Sequence, residues 1–201
     1  MNPTLTHEQA LDLVGRMKIT DKVVFIGLRS KDSVYGENDA YTDTLGLLTP
    51  EGYSEWKLNT LPTKWTPGMA CLVPGLYQFR KGIHGMHHLN LDSPKDKAAY
   101  DWLLDHVGQD HPDPNYRLTY WAYREIPPFT VVRNGQPGMH GDTVAEPFWI
   151  DLHHGGVNTT SSEACQTVPI PIWPIVRMTG FAAMDKYNQS DIYYLLVEYP
   201  M

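Results

Sequence analysis

Residues 150–167 hold the densest chemistry in the chain: Ile150-Asp151-Leu152-His153-His154-Gly155-Gly156, then a run of small residues, then Ser161-Ser162-Glu163-Ala164-Cys165-Gln166-Thr167. A short apolar stretch delivers a histidine, two glycines break it, and Cys165 arrives twelve residues after His153. Nucleophilic thiol chemistry needs these parts: a sulfur that becomes a thiolate, an imidazole to take its proton, and backbone N–H groups for the oxyanion. A free thiol titrates near 8.5, so at neutral pH the imidazole raises its reactive fraction. On this reading Cys165 is the nucleophile, His153 is the base, and backbone N–H groups near Ala164 and Cys165 receive the oxyanion. Asp151 and His153 share a face of an extended strand, so Asp151, or a backbone carbonyl, orients His153. Gly155 and Gly156 let the loop backbone approach a substrate. The bland alternative for any cysteine is a small buried hydrophobe.

Further histidines follow the segment ValProGlyLeuTyrGlnPheArg at 73–80: His84, His87 and His88. His84 is expected on the rim of the site, with Tyr77 or Arg80 meeting substrate carboxylates; a solvated turn is the alternative. His106 and His111 close a helix, where a cation favours the C-terminal dipole. His140 is read as a surface residue in a Gly-rich loop. A zinc hydrolase is a second class of reading, with His84 and His88 joined by His153, His154 or Cys165. Against it, the sequence has no His-Glu-x-x-His and no Cys-x-x-Cys, and Gly85 weakens a helix that would align 84 with 88. A third class is a non-enzymatic wall-binding or virion protein whose six Trp and twelve Tyr line a glycan groove.

The 150–167 stretch resembles the catalytic signature of the L,D-transpeptidase (YkuD-like) family. There a strand His precedes a Gly-rich loop and a Ser-His-Gly-Cys run. His153 matches the strand His, Ser162 the Ser three before the nucleophile, and Cys165 the nucleophile. ValProGlyLeuTyrGlnPhe at 73–79 is similar to the family's upstream Thr-Pro-x-Gly-x-Phe/Tyr segment. Glu163 and Ala164 stand where the family has His and Gly, and Gln166–Thr167 replace the usual Arg or Asn. The pattern looks closer to phage and prophage relatives. The resemblance, over roughly residues 70–168, implies a β-sandwich fold, a thioester intermediate and peptidoglycan stem peptides as substrate. It places Ser162 and Ala164 beside the catalytic pair, and His154, Gly155, Gly156 and Glu163 against substrate. No metal or other cofactor is expected. Hydrolysis at an L,D bond is favoured over cross-link formation, as in a phage-type lysin.

These residues must be held by elements that the local pattern predicts. Ala10, Leu13, Val14 and Met17 recur at helical spacing behind a Thr6–Gln9 capping box, giving a helix over 7–17. The run at 22–28 reads as a buried strand. Residues 30–68 show weak periodicity and read as short strands and loops, including one strand around Leu45–Leu48. Residues 69–80 read as a strand interrupted at Pro74–Gly75 and then a second strand, with Leu76 and Gln78 opposite Tyr77 and Phe79. A helix at 94–107 has Ser93 as N-cap, Pro94 first and Gly108 as its stop, with Ala99, Trp102, Leu103 and His106 inward. Strands at 117–126 and 129–133 are separated by Pro127–Pro128, and 134–138 is a turn. A strand at 148–153, a helix near 175–187 and a strand at 191–199 complete the chain. The fold class is mainly β with peripheral helices, one catalytic domain over 1–201.

Composition narrows the function. The 201 residues are 42% hydrophobic and 19% charged, enough apolar content for a sizeable core. A net charge of −7 with scattered basic residues argues against nucleic-acid binding. No apolar stretch reaches the about 20 residues of a membrane span. The N-terminus is polar and lacks a charged-then-apolar signal region, so synthesis in the cytoplasm without a recognisable export signal is expected. The phage-type resemblance implies that this is a host cytoplasm and that the protein acts on the wall after membrane disruption. A monomer is expected. Two cysteines, Cys71 and Cys165, are too few for a disulfide scaffold. Free thiols are preferred over a single bridge between them.

Overall fold

The computed structural model describes residues 2–31, 40–63, 70–84, 89–107, 109–116, 121–127, 129–136, 140–146, 150–157, 159–162 and 164–199. In chain order these form α1 (His7–Arg16), β1 (Val24–Ser30), β2 (Asp43–Thr49), β3 (Gly52–Leu58), β4 (Ala70–Leu72), β5 (Gly75–Ile83), α2 (Pro94–Asp105), β6 (Trp121–Glu125), β7 (Phe129–Gln136), β8 (His140–Glu146), β9 (Leu152–His154), β10 (Gln166–Val168), α3 (Trp173–Lys186) and β11 (Asp191–Tyr199).

Eight strands form one mixed sheet in the order β10-β9-β6-β5-β11-β1-β2-β3. β1 pairs with β11 and β9 with β10 in parallel; the other neighbours are antiparallel. The sheet curls until its edges meet. Asn59, just past β3, exchanges both backbone hydrogen bonds with Thr167 of β10, at 2.8 and 2.9 Å. The result is a nearly closed, barrel-like wall, and β4-β7-β8 form a separate small sheet.

Strand alternation explains why 24–28 is apolar without a break. Val24, Ile26 and Leu28 pack against Ala10, Leu13 and Val14 of α1. Phe25 points the other way, into the main core with Phe79, Tyr123 and Tyr194. A strand covered on both faces reads as a continuous hydrophobic run. The capping box is present: Thr6 Oγ1 accepts from Gln9 N–H, and Gln9 Oε1 accepts from Thr6 N–H. α3 presses Trp173, Val176, Phe181 and Met184 into the core. Gly180 lets it come close, because a Cβ there would collide with the Tyr123 hydroxyl. That hydroxyl donates to Arg177 O at 3.1 Å.

The mainly β architecture with three helices agrees with the sequence expectation. Several local details differ. β3 is among the short strands expected within 30–68, whereas β8 was not anticipated and begins at His140, which is therefore in a strand and not in a loop. The expected turn at 134–138 starts later, since β7 continues to Gln136 through an irregularity after Arg133. Ser93 precedes α2 but makes no side-chain cap bond. Trp102 and His106, expected inward on α2, stack on one another at 4.1 Å and are only half-buried. Residues 64–68, 117–120, 137–138, 148–149, Gly108 and Pro128 lie outside the described residues. Among the described residues no helix is long and apolar enough to cross a membrane.

Candidate active site

The site is assembled where β9 and β10 lie side by side at one edge of the curled sheet. Leu152 faces the core, so its neighbours Asp151 and His153 face the opposite side. The parallel register sets Gln166 beside Leu152 and Thr167 beside His153, and Gln166 N–H donates to Asp151 O at 2.9 Å. Cys165, immediately before β10, is thereby brought against the start of β9. Asp151 N–H approaches Cys165 Sγ at 3.5 Å, a backbone donor suited to a thiolate.

The third member arrives from β5. The main chain leaves β5 at Ile83, and His84 stacks on His153 with ring centroids 3.9 Å apart and planes 15° from parallel. A ligating atom of His84, one of His153 and Cys165 Sγ all lie within 4.8 Å of one another. His84 Nδ1 is 2.8 Å from Asp151 Oδ2. Asp151 is 1% exposed and has further support: Glu125 N–H donates to its Oδ1 at 3.4 Å, and Arg124 Nη1 lies 3.8 Å from its Oδ2. Arg124 is itself held by donating to Ile83 O at 2.6 Å. The carboxylate therefore orients His84, and of the two supports expected for His153, Asp151 or a backbone carbonyl, the structure shows the carbonyl. His153 Nδ1 instead meets its neighbour's carbonyl, His154 O, at 2.5 Å. Both rings thus have Nδ1 tied to an acceptor, so that in the neutral form the proton sits on Nδ1 and the lone pair on Nε2. Burial, followed by the neighbouring His84 and His154, holds the His153 pKa well below its usual range. His154 is also lowered, mainly by burial; its Nδ1 sits 2.6 Å from Gly155 O.

The loop carrying Cys165 is clamped from a distant segment. Thr63 N–H donates to Ser162 O and Ser162 N–H donates to Thr63 Oγ1, both at 2.8 Å. Thr63 Oγ1 also pairs with Thr160 Oγ1 at 2.6 Å. Asn59, Thr60 and Thr63 form a strap across the loop. It is rooted by Arg29, which donates to Thr60 Oγ1 and to the Thr60 and Leu72 carbonyls. Ser162 Oγ donates to Cys165 O at 2.7 Å, so Ser162 shapes the nucleophile's backbone. Ala164 is buried in the core. Tyr194 OH donates to Gln166 Oε1 at 2.8 Å and pins the residue after Cys165 to the middle of the sheet.

Comparison with protein-family models, curated proteins and solved structures finds no match.

The remaining expectations divide. Tyr77 is removed from the substrate-binding set: it is buried, packs on Phe129 at 4.7 Å, and its hydroxyl lies 2.5 Å from Val73 O and 3.1 Å from Thr130 O. Arg80 is on the surface of β5 between its cross-strand partners Arg124 of β6 and Asp191 of β11, with its Nε 3.4 Å from Asp191 Oδ1. Gly155 and Gly156 allow the loop to fold on itself, since a Cβ on Gly155 would meet Tyr41 and the Thr160 carbonyl. Ser161, with φ 51°, completes that reversal. A cleft of about 220 Å³ opens beside the same loop, lined by Gly156, Val157, Thr159, Pro169 and Ile170. Cys71 is buried and both cysteines are free thiols, so there is no Cys71–Cys165 bridge. His87, His88 and Glu163 lie outside the described residues. Arg124, Glu125 and Thr63 were missed because their roles depend on which strands are neighbours, and nothing in their local sequence marks them.

Proposed function

We propose that this chain is a cysteine peptidase of the L,D-transpeptidase-like fold that degrades peptidoglycan, cutting stem peptides at an L,D bond as a phage-type lysin does. The observation that carries the reading is the convergence of Cys165 Sγ with His84 and His153 within 4.8 Å. The resemblance of the 73–79 and 150–167 segments supplies the substrate class.

In this mechanism His153 Nε2 takes the Cys165 proton, and the sulfur attacks the peptide carbonyl carbon. The carbonyl π electrons move to oxygen, where backbone N–H groups near Ala164 and Cys165 receive the charge. Collapse breaks the C–N bond, and the His153 imidazolium returns its proton to the leaving amine. A ring with a lowered pKa is unprotonated at neutral pH, ready to accept, and is a strong acid once protonated. His84, fixed by Asp151, flanks the same sulfur. Water then attacks the thioester carbon, releasing the acid and restoring the thiol. Cys165 is half-buried and the His84 side chain is 30% exposed, so water has access to the acyl group.

Mass spectrometry of muropeptides after incubation with the protein tests the reading. Cut cross-bridges or a lost terminal residue support a hydrolase, and new cross-links would make it a transpeptidase. Activity is expected to survive EDTA and to be lost to iodoacetamide. Loss in EDTA with rescue by zinc would sink the thiol mechanism in favour of a zinc hydrolase, and an inert protein would leave a wall-binding or virion role.

A further inference from the structure

The three groups around Cys165 also meet the requirements of a metal site. Thiolate and imidazole are the donors that zinc and other borderline-soft divalent cations select. Tetrahedral zinc with ordinary bond lengths spaces such donor atoms by about 3.3–3.7 Å. Closing the 4.8 Å spread to that spacing takes a side-chain shift of about 1 Å per ligand, together with rotation of one imidazole out of the near-parallel stack so that the two ring lone pairs converge. The outer contacts have the form found around bound zinc. A ligating His ordinarily gives its other ring N–H to a carboxylate or backbone carbonyl, which aims the coordinating nitrogen. His84 does this with Asp151 at 2.8 Å, and His153 with His154 O at 2.5 Å. Access is open from the His84 side.

We propose that Cys165, His84 and His153 form a site for a divalent cation of the zinc type, and that its occupation switches the thiol off. The binding half stands on the geometry alone; the switching half rests on the peptidase reading above. On binding, the Cys165 S–H bond breaks, the proton leaves to buffer, and the sulfur pair forms the metal–sulfur bond. The two Nε2 lone pairs complete three protein ligands. The sulfur pair that would attack a carbonyl is then committed to the metal, so substrate and cation compete for one electron pair.

Cobalt(II), a spectroscopic substitute for zinc, provides the test on the intact chain stripped with EDTA. One equivalent is expected to produce a thiolate-to-cobalt charge-transfer band and the visible bands of a tetrahedral site, both displaced by zinc. The charge-transfer band should vanish in Cys165→Ser, and binding should weaken at least about tenfold in His84→Ala and in His153→Ala. Cys71→Ser should bind as wild type. Circular dichroism establishes that each variant is folded. For the wild type alone, peptide mapping after iodoacetamide should show Cys165 protected by zinc. Peptidase activity should fall in step with site occupation and return with EDTA. No charge-transfer band, or a band that persists in Cys165→Ser, overturns the site. Activity that rises with zinc overturns the switch and the thiol mechanism while sustaining the ligands. An intact band on a protein without peptidase activity in either metal state would sustain the site and overturn the peptidase reading.

Discussion

Asp151 holds His84, the residue just past the end of β5, in preference to His153, two residues along its own segment. The 2.8 Å contact from Asp151 Oδ2 to His84 Nδ1 joins the end of β5 to the start of β9, while His153 leans on the carbonyl of His154. Two stacked imidazoles with different supports flank one sulfur.

Replacing the nucleophile separates chemistry from folding. Cys165→Ala is expected to lower muropeptide hydrolysis by at least about a thousandfold. Its urea midpoint should change little, because Cys165 is only half-buried. His153→Ala should cost a similar factor. A Cys165→Ala protein with more than a few per cent of wild-type turnover would remove the nucleophile assignment.

Asp151→Asn tests the support of His84. Loss of an outer partner of a working histidine ordinarily costs about 10–100-fold. The expected signature is a fall in kcat with a displaced pH profile, matched by a slower reaction of Cys165 with iodoacetamide. His84→Ala should move the same profile. An unchanged profile in both variants would show that His84 is only packed against the site.

Acid should weaken the fold before carboxylates titrate. His153 and His154 have folded pKa values below 6.5, caused first by burial. Above about pH 6.5 neither folded nor unfolded chain protonates these rings, and their contribution to stability is fully present. Below it the unfolded chain binds protons that the folded chain refuses. Stability then falls with pH, by up to about 1.4 kcal/mol per unit for each ring, until the lowered folded values are reached. Urea midpoints at pH 7.5, 6 and 5 measure this, and the slope should shrink in His154→Ala. Midpoints that hold steady or rise on acidification would contradict it.

Cys71→Ser should leave catalysis at wild-type level while costing about 1–3 kcal/mol of stability, since a hydroxyl replaces a thiol in an apolar interior. Burial pushes the Cys71 thiol up to about 11, so iodoacetamide should modify Cys165 first and reach Cys71 only on unfolding. Rapid labelling of Cys71 in the folded protein would refute this placement.

Thr63→Ala should loosen the loop that carries the nucleophile. The change removes the acceptor of Ser162 N–H and the partner of Thr160. A stability loss of about 1–2 kcal/mol is expected from these bonds. A roughly tenfold fall in kcat should accompany it, the share that a loosened positioning contact typically carries. Thr63→Ser, which keeps the hydroxyl, should recover both. Hydrogen exchange at 160–165 reads the loosening directly; unaltered protection there would dismiss the strap.

Local order was legible where one segment decides its own conformation. The Thr6–Gln9 box and the Ala10, Leu13, Val14 stripe specify α1 through contacts three and four residues apart. The apolar run of β11 stands out with its bounds at 191 and 199. The nearness of His153 and Cys165 was also readable, because a glycine reversal joins two short strands. β9 and β10 have three residues each, too few to display a period. What the sequence left open is everything that crosses from strand to strand. A hydrophobic alternation says which face is buried but not which strand lies alongside. Only the order β9-β6-β5 brings His84 over His153 and Arg124 beneath Asp151. Only closure of the sheet at Asn59 and Thr167 lays Thr63 on the Cys165 loop. The tyrosine that looked ready for substrate, Tyr77, went into the core for the same reason: the face of β5 it occupies is the one covered by β7. Chain-distant contacts depend on register and on which edges find each other, and those are set by the packing of the whole sheet.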